Sequence, residues 1–421
     1  MGMTIAEKIL AKAGGVKTVS PGEIAVVTVG TAVFLDMNFL PESWREVLKV
    51  ADPDKVVVVL DHLAPANEPQ TASAHRRARE FVRRFGIKRF HDIGYDQGIS
   101  HVVVADNAYA LPGTVLVNPD SHTCGGGAFN CAARGVGLPE TLFAVTTGRT
   151  WFRVGETVRY ELSGKLKPGV SAKDVFLTMA GRFGAHVNQN IEYGGAGMRT
   201  LSINARRTLA IMGAELSAEF VIFEPDETLL TYVRERNKAP FEPALPDPDA
   251  RYKETRALDL GAIEPLVALP DSVIQNSVPV GEVAGQKIDQ AFIGSCANGT
   301  LDDFAAAAKV VKGKRVAKGV RLIVTPGSQS IYRAALKAGY VETLVEAGAV
   351  VTAATCGACF GGHMGVLGAD EVCITASTRN FKGRMGDPSA RIFMASPATV
   401  AASALAGEIV SAANYFAGDL A

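Results

Sequence analysis

The chain has 421 residues, 48% of them hydrophobic, with 43 basic and 43 acidic side chains. Roughly 100–200 residues per domain gives several domains with real cores, and zero net charge supplies no basic footprint for nucleic acid or an anionic membrane surface. No apolar run approaches the ~18 residues of a membrane span, and the start MGMTIAEKILAKAGG reads as a short amphipathic helix rather than an export signal, so a cytoplasmic protein with reduced thiols is expected.

Along the chain, short apolar β-branched runs alternate with helical periodicity, the pattern of α/β architecture with largely parallel sheets. A strand over Val56–Leu60 runs into Asp61-His62, and a helix is expected over Ala72–Phe85. The next strand, Thr114–Val117, runs into Asp120-Ser121-His122, followed by helices over Leu138–Thr147 and Ala172–Phe183. Residues 237–255, with four prolines and many charges, read as a linker, and a second irregular stretch covers Leu269–Pro279. This divides the chain into an N-terminal α/β body at 1–235, with two subdomains, a linker or irregular crossing at 236–282, and a C-terminal α/β domain at 283–421. Within the last part, a strand at Ala291–Ile293 leads into Cys296 and one at Ala349–Thr352 leads into Cys356 and Cys359. A strand at Arg321–Val324 and helices at Leu301–Val311 and Ile331–Ala338 complete it. In open α/β sheets ligands bind beyond the carboxyl ends of strands, so these polar and thiol endings mark where a site should assemble.

The six cysteines are too few for a disulfide scaffold and are clustered rather than spread. Cys356-Gly-Ala-Cys359 allows two thiolates to chelate one centre from a tight turn, and Cys296 lies in a second glycine-flanked turn. Three thiolates suit an iron–sulfur cluster with one open iron, whereas structural zinc takes four ligands. Cys373 could complete a zinc site, but its surroundings, Val-Cys-Ile-Thr, read as the interior of a buried strand. A redox pair would leave Cys296 without a role. Cys124 and Cys131 read as small buried residues. Spacing leaves cluster, zinc and redox pair open.

Four segments carry a family resemblance: Pro119-Asp-Ser-His-Thr-Cys-Gly-Gly-Gly127, Ile293-Gly-Ser-Cys-Ala-Asn-Gly299, Thr355-Cys-Gly-Ala-Cys-Phe-Gly-Gly-His-Met-Gly365 and Ser377-Thr-Arg-Asn-Phe-Lys-Gly-Arg-Met-Gly386. Their order and residues resemble the aconitase superfamily, over nearly the whole chain. They are most similar to the branch holding the large subunits of 3-isopropylmalate dehydratase and homoaconitase, in their shorter archaeal-type form. The resemblance implies aconitase-like three-layer α/β/α domains around a 4Fe–4S cluster held by Cys296, Cys356 and Cys359. The chain has nothing resembling the family's swivel domain. A small subunit carrying that domain and a catalytic serine is therefore implied as a partner, with no nucleic acid and no membrane.

The implied reaction is reversible loss of water from a hydroxy-di- or tricarboxylate, with an open iron as Lewis acid for the departing hydroxyl. By resemblance His62, paired with Asp61, is the proton donor, and His101, Asp120 and His122 are further catalytic groups. Glu192 matches the family glutamate near the iron-bound water, Arg379 and Arg384 match the carboxylate-binding arginines, and Ser121 joins them. Asn298 and His363 are implied to stand behind the cysteines. The Gly125–Gly127 triplet is read as a close backbone approach to the site rather than a phosphate cradle. Relatives usually carry His or Gln in the stretch that is Thr31–Asn38 here, leaving Asp36 or Asn38 to substitute, and Thr378 and Ala297 also depart from the usual residues. These point to altered substrate preference. The expected activity is that of 3-isopropylmalate dehydratase or a close paralogue. Homoaconitase, dimethylmalate dehydratase and citraconate or maleate hydratase are the alternatives, with a non-catalytic cluster-sensing regulator further off.

Overall fold

A computed structural model describes residues 2–417. Its N-terminal sheet is five-stranded and parallel, in spatial order Arg89–His91, Val56–Val59, Thr31–Leu35, Val115–Asn118, Ala132–Gly135. The strand Val56–Val59 is four valines, all buried, as expected for a central strand covered on both faces. A second parallel sheet of four strands runs Val221–Phe223, Gln189–Gly194, Glu156–Ser163, Glu254–Asp259. The third sheet has seven strands, with a parallel centre of Arg391–Ala395, Val372–Thr375, Gln290–Ile293, Arg321–Val324 and Val350–Val351.

Segment 236–282 departs from a plain linker. The proline-rich part has no regular element, but Glu254–Asp259 forms an edge strand of the second sheet. Leu266–Ala268 and Ser277–Pro279 add antiparallel to the edge of the third. Four of the prolines lie at 240–248, before these strands, and Pro279 falls on the outermost strand, where a missing N–H is tolerated.

Helices read from periodicity over Leu138–Thr147, Ala172–Phe183 and Leu301–Val311 occupy those residues. Two start with reciprocal caps, Ser171 with Asp174 and Thr300 with Asp303, each satisfying two orphan N–H groups of the first turn. The helix Pro69–Phe85 begins with proline at its first position and ends on Gly86 at φ +66°. No helix among the described residues is long and apolar enough to cross a membrane.

Two packings set the position of the site. The carboxyl ends of the first and third sheets meet: the Thr355 hydroxyl donates to the Asp61 carbonyl at 2.8 Å and to the His62 carbonyl at 3.2 Å. The 3₁₀ helix Ser121–Phe129 packs against the helix Ile203–Met212. Glycine makes that second approach possible. A Cβ on Gly127 would meet the Val221 carbonyl oxygen, and one on Gly125 would meet Ile211. The triplet thus serves close packing between elements.

Candidate active site

Cys296, Cys356 and Cys359 line one small enclosed space together with His62, His101, Asp120, His122, Thr378 and Arg384. The three thiols are 6%, 9% and 5% exposed. Cys296 sits in the short turn Ser295–Asn298 just past the strand Gln290–Ile293, and the Thr208 hydroxyl donates to the Ala297 carbonyl at 2.7 Å to hold that turn. Cys359 Sγ lies 3.5 Å from the Thr378 hydroxyl. Burial pushes the Cys356 thiol up to about 12, against the pull of His62. Burial also opposes ionisation of Cys359, but Arg384 and Thr378 outweigh it and hold that thiol below its ordinary value.

Among the described residues, the groups whose donor atoms all lie within 4.8 Å of one another are Asp61–His62–Cys356 and His101–Asp120–His122. The three sulfurs together are not such a group. At least one pair of these sulfurs is therefore more than 4.8 Å apart, wider than two sulfurs on one zinc would stand. Cys373 is fully buried within the strand Val372–Thr375 and does not line the space that the other three cysteines share. Cys124 and Cys131 are likewise buried, with their thiols bonded to backbone carbonyls.

Facing the cysteines is a chain of carboxylate–imidazole pairs. His62 Nδ1 is 2.8 Å from Asp61 Oδ1, and the other oxygen of Asp61 accepts the Ser100 N–H at 2.9 Å. His62 Nε2 is 3.6 Å from Asp120 Oδ2. Asp120 Oδ1 accepts the His122 N–H at 2.7 Å and lies 3.0 Å from His101 Nε2. Burial would disfavour a charged Asp120, but His101, His122 and His62 together hold its carboxyl well below the usual range. Burial likewise works against a charged His62, yet Asp61, Cys356 and Asp120 hold its pKa well above the ordinary value. These carboxylates favour the protonated form of His62. Asp36 joins from behind, with its Oδ1 3.8 Å from His62 Nδ1 and its Oδ2 accepting the Leu63 N–H at 2.7 Å. Of the two residues that could substitute in that stretch, Asp36 reaches the site, while Asn38 is consumed by its own turn through the Leu35 N–H.

Arg379 donates from Nε to Glu215 at 2.8 Å and from one terminal nitrogen to the Ser121 hydroxyl at 2.7 Å. Arg384 lines the cavity with its Nε buried and without a partner. Glu215 also takes His122 Nε2 at 2.9 Å. Burial opposes its ionisation, but His122 and Arg379 hold it below the ordinary value. Sequence reasoning missed Glu215. The signal was a lone acid in the otherwise uncharged run Thr208–Ala218, on the turn that ends a buried helix.

Glu192, expected from the resemblance near the iron-bound water, lies elsewhere. It is fully buried in the strand Gln189–Gly194, where it accepts the Ala6 N–H at 3.1 Å and the Tyr252 hydroxyl at 3.1 Å. It fastens the start of the helix Ile5–Gly14 to the second sheet and touches none of the site residues named above. Burial raises its pKa to about 7, with the Ala6 N–H and Tyr252 opposing. A carboxyl raised from 4.5 to about 7 on folding stabilises fully below pH 4.5, and that contribution fades as pH rises through about 7. Glu192→Gln should therefore gain up to roughly 2–3 kcal/mol in stability at pH 8, change little at pH 5 and leave activity intact. Thermal unfolding at the two pH values checks this; an activity loss without an unfolding change would return Glu192 to the site.

Asn298 and His363 are expected behind the cysteines rather than among them. Asn298 Nδ2 donates to Asp303 at 3.0 Å, stabilising the turn before the helix Leu301–Val311, and faces a groove behind the cysteines. His363 lies four residues past Cys359, partly buried, with Nδ1 lacking a partner and its pKa lowered by burial. Neither lines the cysteine cavity.

The sequence matches the aconitase family (aconitate hydratase) over residues 41–284 and 275–407. It is 52% identical to the 3-isopropylmalate dehydratase large subunit of Mycolicibacterium smegmatis, across 99% of this chain and 98% of that one. The 3-isopropylmalate dehydratase large subunit 1 of Methanopyrus kandleri is 44% identical over 99% of this chain and 100% of its own length. The large subunit of the same name from Aquifex aeolicus is 42% identical over 97% and 96%. Among solved structures, holo aconitase X of Thermococcus kodakaraensis is similar over 87% of this chain and 88% of its own, with 13% identity and a TM-score of 0.47.

Proposed function

The chain belongs to the aconitase family, and from that premise we propose that it is the large subunit of a cytoplasmic 3-isopropylmalate dehydratase. It would hold a 4Fe–4S cluster on Cys296, Cys356 and Cys359 and be completed by a small subunit. The observation that carries this reading is the gathering of the three thiols, His62 and Arg384 around one small space, with Arg379 held next to it by Glu215 and Ser121.

When bound, the cluster supplies a Lewis-acidic iron for the substrate's hydroxyl and neighbouring carboxylate. The chain's own residues supply the rest. His62 holds a proton on Nε2, the nitrogen turned towards the cavity, while Asp61 fixes the ring through Nδ1. Departing hydroxide is a poor leaving group, and a proton delivered there turns it into water. Asp120 ties His62, His101 and His122 into one rigid assembly, which keeps the donor aimed. Arg379 is held by Glu215 and Ser121 with its second terminal nitrogen uncommitted, and Arg384 has an unpartnered N–H; both can grip substrate carboxylates. Abstraction of the proton next to a carboxylate also needs a base. Asp61 and Asp120 are each committed to more than one donor, so we assign the base to the small subunit, as a serine on its swivel domain.

The test is an assay of the purified large–small complex, reconstituted without oxygen, on 3-isopropylmalate, homocitrate-type acids, dimethylmalate and citraconate. Highest kcat/KM on 3-isopropylmalate, with the large chain alone near background, is expected. Preference for another of these acids would move the substrate assignment, and Asp36 would be the first residue to examine. No turnover of any of them would sink the proposal.

A further inference from the structure

The first turn of the helix Ala172–Phe183 carries a lysine that is completely buried. An ammonium has three donors and is strongly hydrated in water, so its burial requires acceptors and counter-charge. Lys173 Nζ has a single oxygen partner, the Ser377 carbonyl at 2.9 Å. Its other neighbours are thioethers, Met212 Sδ at 3.3 Å and Met394 Sδ at 4.0 Å, which are weak acceptors. Burial lowers its pKa to about 8, and the groups that resist are Asp303, Cys296, Cys359 and Glu215. Of these, Asp303 is engaged with Thr300 and Asn298, and Glu215 with His122 and Arg379. The other two are cysteine sulfurs, which carry full negative charge when they ligate metal.

The carbonyl that Lys173 grips is equally placed. Ser377 precedes Thr378, whose hydroxyl lies 3.5 Å from Cys359 Sγ, and Arg379, which reaches Glu215 and Ser121. Lys173 thus ties a helix of the second sheet's layer to the loop that touches both a metal-binding sulfur and the carboxylate clamp, 204 residues away in sequence.

We propose that Lys173 is a positioning residue whose buried cation offsets the negative charge of the three-thiolate centre while its bond to the Ser377 carbonyl holds the Thr378–Arg379 loop against it. This rests on the cluster reading above. It makes opposite demands on the bare and the metal-loaded chain. Without metal, the cation has less counter-charge and its loss should be harmless or stabilising; with the cluster in place, its loss should weaken the centre.

The experiment compares Lys173→Met, which removes charge and hydrogen bond, with Lys173→Gln, which keeps a donor but no charge. Thermal unfolding is measured on the metal-free chains, and the reconstituted large–small complexes are followed by redox titration and by iron release in air. Both metal-free variants should unfold at or above the temperature of the unmodified chain. In the complexes both should show a lower midpoint potential, because a nearby cation favours the more negative reduced form, and iron loss about tenfold faster. Only Lys173→Met should also raise KM, through the loosened Arg379 loop. If the unmodified complex holds its cluster and both variants match its potential and iron-loss rate, the inference falls alone. It also falls if both variants fail to fold without metal, since Lys173 would then be a structural strut. If the unmodified complex binds no iron, the cluster reading falls and this inference with it.

Discussion

Asp120→Asn in the large–small complex is expected to reduce kcat on the order of 10³-fold or more, with iron content unchanged. Asp120 is the one acid that His62, His101 and His122 share, and it touches none of the cysteines by hydrogen bond. Asparagine keeps the size and can still accept the His122 N–H, so folding and metal retention should survive. What disappears is the negative charge that helps to keep His62 protonated and aimed. The pH dependence makes the sign explicit. His62 acts in its protonated form, so kcat/KM should fall on the alkaline side as that proton is lost. Removing the Asp120 charge lowers the pKa of His62, so in Asp120→Asn this alkaline limb should move to lower pH. A limb that stays in place, or a variant that loses iron along with activity, would contradict the role assigned to Asp120.

The second large effect concerns the cysteines. Cys296→Ser, Cys356→Ser and Cys359→Ser should each abolish cluster retention and reduce turnover to background, because a serine hydroxyl is a hard and far less acidic ligand than a thiol. Cys373→Ser should keep cluster and activity. Its thiol lies inside the strand Val372–Thr375, packed with Phe292, Ile392 and Met385, so the cost falls on stability through a buried hydroxyl. Iron content and unfolding of the four variants separate the two classes. Equal iron loss in Cys373→Ser would mean that the ligand set has been misread.

Much of this site is visible in the sequence for a local reason. Asp61-His62 and Asp120-Ser121-His122 stand immediately after runs of buried valine and leucine, and a parallel strand delivers whatever follows it to the sheet's carboxyl end. The same logic exposes Cys296 behind Gln290–Ile293. What the sequence hides depends on packing between distant segments. Glu192 and Glu215 are both lone acids among uncharged neighbours, and nothing local separates them. Only the packing of the Ser121–Phe129 helix on Ile203–Met212, across 93 residues, brings Glu215 to His122, while Glu192 points to the N-terminal helix. Lys173 looks like an ordinary solvated residue in a capped first turn and is buried by a loop 204 residues later. Segment 236–282 reads as a crossing because its prolines dominate, although the short strands behind them close the edges of two sheets.

The central claim is that three cysteine thiolates of this chain hold a cluster with one open iron. The most direct measurement is iron and acid-labile sulfide per chain after anaerobic reconstitution, repeated after brief exposure to air. About four of each are expected, with about one iron lost in air and regained on reduction with ferrous iron. One zinc per chain, or two irons that no air exposure removes, would contradict the claim.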